Sequence, residues 1–175
     1  MSTYMTTYTK KRIFPMQLTK EDINIKDIAH ALSLMCRANG HIKYFYSVAQ
    51  HSINCAQEAM HRGYAKKVIK ACLLHDASEA YLSDIIRPVK QHLDTYLVIE
   101  DSIQTLIYNK FGIEDLDEKE KQQVKQIDDD MLYNELFTLM DEKIVDVIPT
   151  LSEDVDLTYH EFEDVEREFL LLFAM

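Results

Sequence analysis

The chain has 175 residues, 47% of them hydrophobic, and no Pro-, Gly- or Ser-rich linker divides it, which suits one well-buried domain over residues 1–175. Nineteen basic against thirty acidic side chains leave a net charge of -11, which argues against long nucleic acid or an anionic membrane surface as a partner, because neutralising phosphates takes a basic field. No apolar run reaches the roughly 18 residues of a membrane span and the start, MSTYMTTYTKKR, lacks the apolar segment of a secretory signal, so a soluble, cytoplasmic protein is expected.

Only 3 Gly and 3 Pro point to long helices with few tight turns, and the predicted fold is all-α, a single-domain bundle of about six main helices. Residues 1–20 read as irregular, with Pro15 breaking any early element. Helices are predicted over 23–38, ended by Asn39-Gly40; 47–62, with Ser47 as N-cap and Gly63 as stop; and 65–82. Three more follow over 88–110, ended by Gly112; 117–142, opened by a capping box of Asp117 and Glu120; and 159–173, opened by Thr158 with Glu161. The acidic stretch 145–156 contains Pro149 and reads as a loop. Cys36, Cys55 and Cys72 lie on apolar stripes without CxxC spacing and are expected as reduced, buried thiols.

The most informative stretch is ACLLHDASEAYLSD, residues 71–84, where an apolar run leads into His75 and Asp76. An imidazole beside a carboxylate is costly to bury unless something neutralises and orients the pair, and a divalent cation is a common agent. Glu79 at i+3 from Asp76 and Asp84 at i+8 put three acids toward one cavity. Upstream, His51 accompanies a small-residue stripe of Val48, Ser52, Cys55, Ala56 and Ala59. Downstream, Asp128 falls on the stripe of Val124, Ile127, Met131 and Glu135, while Asp129 and Asp130 are expected to turn progressively toward solvent. His51, His75, Asp76 and Asp128 make a nitrogen and oxygen set suited to one divalent ion per chain, with Co, Mn, Zn, Ni and Mg not distinguished. Cys55, at i+4 from His51, is read as a small core residue rather than a ligand.

In order, His51, His75-Asp76 and Asp128 resemble the H...HD...D signature of the HD-domain phosphohydrolases. The string HDASEAYLSDIIRPVK, residues 75–90, is similar to the HDASE...GD..(T/R)PVK segment of their YfbR-like deoxynucleotidase branch. The resemblance runs from about Asp22 to VKQIDDDMLYNE and covers about two thirds of the chain. Ser83 departs from it where Gly usually precedes the Asp, and Ile127 departs where a small Ala commonly does.

The resemblance implies a nucleotide substrate. Arg37 stands where the related nucleotidases carry a phosphate-binding Arg, and His41, Lys43 and Lys90 are the other substrate-binding candidates. Arg87 reads as a solvated charge. Glu79 is expected to act as general base or to orient the attacking water, and Asp84 to hold the hydroxyl region or the nucleophile network. Phe45, Tyr46 and Tyr81 are base-stacking candidates, although aromatic side chains more often fill a core. The expected reaction is hydrolysis of (deoxy)nucleoside 5'-monophosphates to nucleoside and phosphate. The rivals are a (d)NTP triphosphohydrolase releasing tripolyphosphate, a cyclic-nucleotide or alarmone hydrolase, and a non-catalytic helical regulatory module with a structural metal. A homodimer or higher homo-oligomer stays open.

Overall fold

The computed structural model describes residues 4–152 and 155–175. It is an all-α domain: six helices of nine residues or more and two single-turn helices are joined to one small strand pair among the described residues. The N-terminal segment is more ordered than its sequence suggests, since Met5–Thr6 (β1) pairs antiparallel with Arg12–Ile13 (β2). Buried Asp27 holds this hairpin by accepting from the backbone N–H and the hydroxyl of Thr9 at 2.6 and 2.9 Å.

Helix α1, Ile25–Leu34, opens on Asn24, whose side chain accepts from the Lys26 N–H. It ends four residues before the expected 38, because the chain enters an antiparallel bridge between Cys36 and Ser47. Arg37 N–H donates to Tyr46 C=O and Val48 N–H to Met35 C=O, both at 3.0 Å, and these ladder bonds replace the last helical turn. Ala38 and Asn39 then take left-handed backbone, φ 51° and 53°, to turn the loop back.

Helix α2, Val48–His61, is capped by Ser47 as predicted and is almost wholly buried, with Val48, Ala49, Ile53 and Ala56 in the main core. Small residues let α3, Lys66–Leu74, pack closely along it. The helix predicted over 65–82 is broken after Leu74. Successive i to i-3 bonds carry the chain to a short α4, Glu79–Leu82: Ala77 N–H to Leu74 C=O, Glu79 to Asp76 and Tyr81 to Ser78. With three residues per turn, Asp76 and Glu79 eclipse one another and face the same side.

The stretch 88–110 also divides, into α5, Arg87–Lys90, and α6, Asp94–Lys110. Helix α7, Glu118–Met140, carries both arms of the predicted capping box. Helix α8, Phe162–Phe173, starts three residues late, because Thr158 commits its hydroxyl and N–H to Asp156 at 2.6 and 2.9 Å instead of capping. The main core joins Ile28 and Leu32, Leu73 and Leu74, Ile103 and Ile107, and Val165 and Phe169 around α2. A second cluster, Cys55, Cys72, Ile127 and Met131, seats α7 against α2 and α3. The three cysteines are free thiols, two of them buried. Among the described residues no helix is long and apolar enough to cross a membrane.

Ser83 has φ 88° and ψ 151°, a region that only glycine enters without strain. Such strain costs on the order of 1–3 kcal/mol, and glycine's extra backbone entropy offsets part of its relief. Ser83→Gly should raise stability by about 1 kcal/mol. A urea or thermal midpoint no higher than wild type would contradict the strain.

Candidate metal centre

Three helices deliver the candidate ligands. His51 projects from α2 and is fully buried, His75 is the C-cap of α3, Asp76 follows it, and Asp128 comes from the middle of α7. The Nε2 atoms of His51 and His75 stand 3.2 Å apart. Asp128 Oδ1 is 3.3 and 3.6 Å from these two nitrogens, and Asp76 Oδ2 is 3.9 and 3.3 Å from them. Four donors bonded at 2.0–2.2 Å to one tetrahedral cation would be separated by about 3.4 Å, so the residues fit a small divalent ion.

His51, Cys55 and His75 also bring one donor atom each within 4.8 Å of one another and could hold a metal ion. The Cys55 sulfur lies 3.5 and 4.0 Å from the two ring nitrogens of His51, a near-equal spacing that puts it beside the ring rather than in line with Nε2, while Asp128 and Asp76 stand 3.3 and 3.9 Å from Nε2. Burial and the Asp128 charge push the Cys55 thiol far up, which favours its neutral form.

The outer nitrogen of each imidazole is also engaged. His75 Nδ1 lies 2.7 Å from Cys72 C=O, which can only accept, so Nδ1 carries the proton. His51 Nδ1 lies 2.7 Å from Glu135 Oε1. Burial alone would protonate Glu135, but Arg37 and His51 outweigh it and hold the carboxyl below its ordinary range. Burial lowers His75, yet Asp76 and Asp128 overcome it and lift the imidazole to about 9. Burial and Arg37 lower His51 too, and Glu135 with Asp128 leaves it raised. Asp128 is held well below its ordinary value, because the two imidazoles more than offset burial.

Glu79 differs from the four candidate ligands. It is buried, its Oε2 has no hydrogen-bond partner among the described residues, and Oε1 is 3.6 Å from Lys90 Nζ. Burial, then Asp76 and Asp84, push it up to about 9. Asp84 is also raised, by burial foremost, with Arg37 opposing.

Of the substrate-binding candidates, Arg37 and Lys90 lie beside the site, against Asp76 and Glu79. Arg37 is half-buried, with Nε 3.1 Å from Glu135 Oε2 and Nη1 3.4 Å from Asp76 Oδ2. Lys90 pairs with Glu100 at 2.7 Å while facing Glu79. Lys43 is drawn elsewhere: its ammonium donates to Thr138 C=O and Asp141 at 2.8 and 2.9 Å, at the C-terminal end of α7. His41 is exposed at the close of the 37–40 turn. Tyr46 and Tyr81 are buried and cannot stack on a base as placed. The Tyr46 hydroxyl donates to Glu135 at 2.8 Å, and Tyr81 packs in the main core. Phe45 is half-buried beside Tyr46.

The expectation for α7 that Asp129 and Asp130 turn progressively toward solvent is corrected for both. Asp129 is half-buried, its side chain 19% exposed against 24% for Asp128, and it faces Arg87 and Lys125 at 2.8 and 2.7 Å. Asp130 is buried on the opposite side and accepts from Arg62 and Gln126 at 2.8 and 2.7 Å, because α7 is covered on two faces. Arg87, expected to be merely solvated, spans Asp128 at 3.2 Å and Asp129. Asp128→Asn should lower turnover roughly a hundredfold or more. Asp129→Asn should stay near wild type, as exposed pairs contribute about 0–1 kcal/mol. Asp130→Asn should cost about 1–3 kcal/mol of stability with little loss of turnover per folded molecule. Equal activity losses in all three, at matched metal occupancy, would contradict this assignment.

Sequence reasoning placed Glu135 on the inward stripe of α7 but gave it no role. Its signal was spacing, since i+7 from Asp128 returns a helix to nearly the same direction.

No family model matches the chain. It is 38% identical over 110 residues to the uncharacterized protein YfdR of Escherichia coli (strain K12), an alignment that covers 63% of this chain and 59% of that protein. It is 37% identical over 109 residues to an uncharacterized protein of Rhodobacter capsulatus, covering 59% of this chain and 55% of the relative. The chain thus spans less than two thirds of the length of either relative.

Proposed function

We propose that this chain is a metal-dependent phosphohydrolase of the HD-domain type, hydrolysing (deoxy)nucleoside 5'-monophosphates to nucleoside and phosphate. The observation that carries the reading is the convergence of two imidazole Nε2 atoms and two carboxylates, at 3.2 to 3.9 Å, beside a buried Glu79 oxygen without a partner. A purely structural site closes its coordination and has no use for such an extra carboxyl, which speaks against the regulatory-module reading.

His51, His75, Asp76 and Asp128 would hold the ion, which when bound supplies Lewis acidity toward a phosphoryl oxygen and acidifies water. Arg37 donates toward the phosphate while Glu135 keeps it in place. Glu79, three residues beyond Asp76 and with one buried oxygen free of hydrogen bonds among the described residues, is placed to move a proton at the reacting centre, from the attacking water or to the leaving 5' oxygen. Lys90 holds Glu79 from the outer side.

Charge favours the monophosphate over the triphosphate. Asp76, Asp84, Asp128 and Glu135 with a neutral Glu79 are balanced by Arg37, Lys90 and one divalent ion, whereas Arg87 is already taken by Asp128 and Asp129. With those charges already in balance, each further phosphate charge goes uncompensated, so a dianionic ester is disfavoured less than a triphosphate. The test is a panel of nucleoside mono- and triphosphates with several divalent ions, resolving phosphate from tripolyphosphate. Phosphate from monophosphates is expected; tripolyphosphate would make the triphosphohydrolase reading correct, and no hydrolysis with any bound metal would remove both.

A further inference from the structure

Glu135 stands behind the site and touches no position that a substrate would occupy. Its carboxylate is nonetheless shared between two residues whose other ends reach the candidate site. Oε1 lies 2.7 Å from His51 Nδ1 and 2.8 Å from the Tyr46 hydroxyl, and Oε2 is 3.1 Å from Arg37 Nε. The far side of the His51 ring presents Nε2 to His75 and Asp128, and the far side of the Arg37 guanidinium reaches Asp76.

The directions of these bonds follow from groups that have no choice. Asp156 C=O can only accept, which makes the Asn54 nitrogen the donor at 3.1 Å. The same nitrogen donates to the Tyr46 oxygen at 2.9 Å, so the Tyr46 hydrogen points onward to Glu135. Glu135 Oε1 then accepts from both Tyr46 and His51, and the His51 proton sits on Nδ1. In the neutral ring the lone pair is then left on Nε2, the atom that faces His75 and Asp128.

We propose that Glu135 is a positioning residue that holds His51 in its metal-binding tautomer and Arg37 in its anion-binding orientation, so that one carboxylate couples metal affinity to phosphate affinity. This rests on the metal-site reading given above. A carboxylate that orients a metal-binding imidazole from behind typically changes metal affinity about tenfold to a hundredfold.

Glu135→Gln is the informative change. The side chain keeps its size, but its single carbonyl oxygen serves either Tyr46 and His51 or Arg37, and its amide then meets another donor. Titration of the metal-free protein with Mn(II), and of the Mn(II)-saturated protein with inorganic phosphate, reads the two affinities without turnover. Glu135→Gln should weaken Mn(II) binding about tenfold to a hundredfold and weaken phosphate binding as well. Arg37→Gln should weaken phosphate binding without weakening Mn(II) binding. Circular dichroism melts report the folded fraction, and a purely structural Glu135 would lower the midpoint while leaving both affinities of folded protein unchanged. That result would overturn the proposal. Should Glu135→Gln not fold, imidazole nitrogen NMR of the wild-type protein decides: a His51 Nδ1 without its proton in the Zn-loaded protein overturns the proposal, and a protonated Nδ1 supports it. If the wild type binds no divalent ion, the metal-site reading fails and this one with it. Binding by the wild type with unchanged Glu135→Gln removes this inference alone.

Discussion

Glu79→Gln is expected to lower turnover about a hundredfold to ten-thousandfold, the usual contribution of a positioned proton donor or acceptor, while Mn(II) and nucleotide still bind. The same change should make the metal-free protein more stable. Burial, Asp76 and Asp84 raise the Glu79 carboxyl from its ordinary 4.5 to about 9 in the fold. Between those two values the folded protein holds a proton that the unfolded chain has released, so this group's contribution to stability falls as pH rises through the window. Below about 4.5 both states are protonated and the contribution is complete. Glutamine has no proton to keep, so the stability gap between variant and wild type should widen from pH 4.5 toward 9. Thermal melts of both proteins in chelator across that range measure it. Parallel curves would show that Glu79 is not perturbed, and unchanged turnover would move the proton-transfer role to Asp84.

Asp76→Ala should abolish both metal binding and hydrolysis. Asp76 stands 3.9 and 3.3 Å from the Nε2 of His51 and of His75 and meets Arg37 at 3.4 Å, so its loss removes a candidate ligand and takes one carboxylate from three cationic side chains. The clearest readout is stabilisation by metal. For wild type, a metal concentration a hundred times the Kd should add about 2.7 kcal/mol, several degrees of melting temperature for a domain of this size. Asp76→Ala should show no such shift. A variant that kept its metal-induced shift and its turnover would place the centre elsewhere, and chelation that left wild-type hydrolysis intact would end the metal reading.

Much of the local design was legible in the chain itself. Ser47, Asp117 with Glu120, and the stops at Gly63 and Gly112 mark helix ends through bonds made within a few residues, and the structure keeps them. The four ligand candidates were also visible, because polar residues on apolar stripes have few physical explanations. Ser83 stood out from the resembled pattern, and its backbone takes a conformation that only glycine enters without strain.

What the sequence could not decide was set by partners distant along the chain. Helix α1 stops early because residues 46–48 compete for its last backbone groups, and no local signal announces a ladder formed across a loop. The helix predicted over 65–82 breaks after Leu74, where a tighter winding aims Asp76 and Glu79 together. Asp130 is buried rather than exposed because Arg62 reaches it from 68 positions away. Lys43 leaves the site for the end of α7, and Tyr46 becomes a partner of Glu135 rather than a surface for a base. Sequence spacing settles which side chains share a helical face. Which of those faces meet, and hence which carboxyls lose water and shift their protons, is decided only by packing, since desolvation depends on every neighbouring element at once.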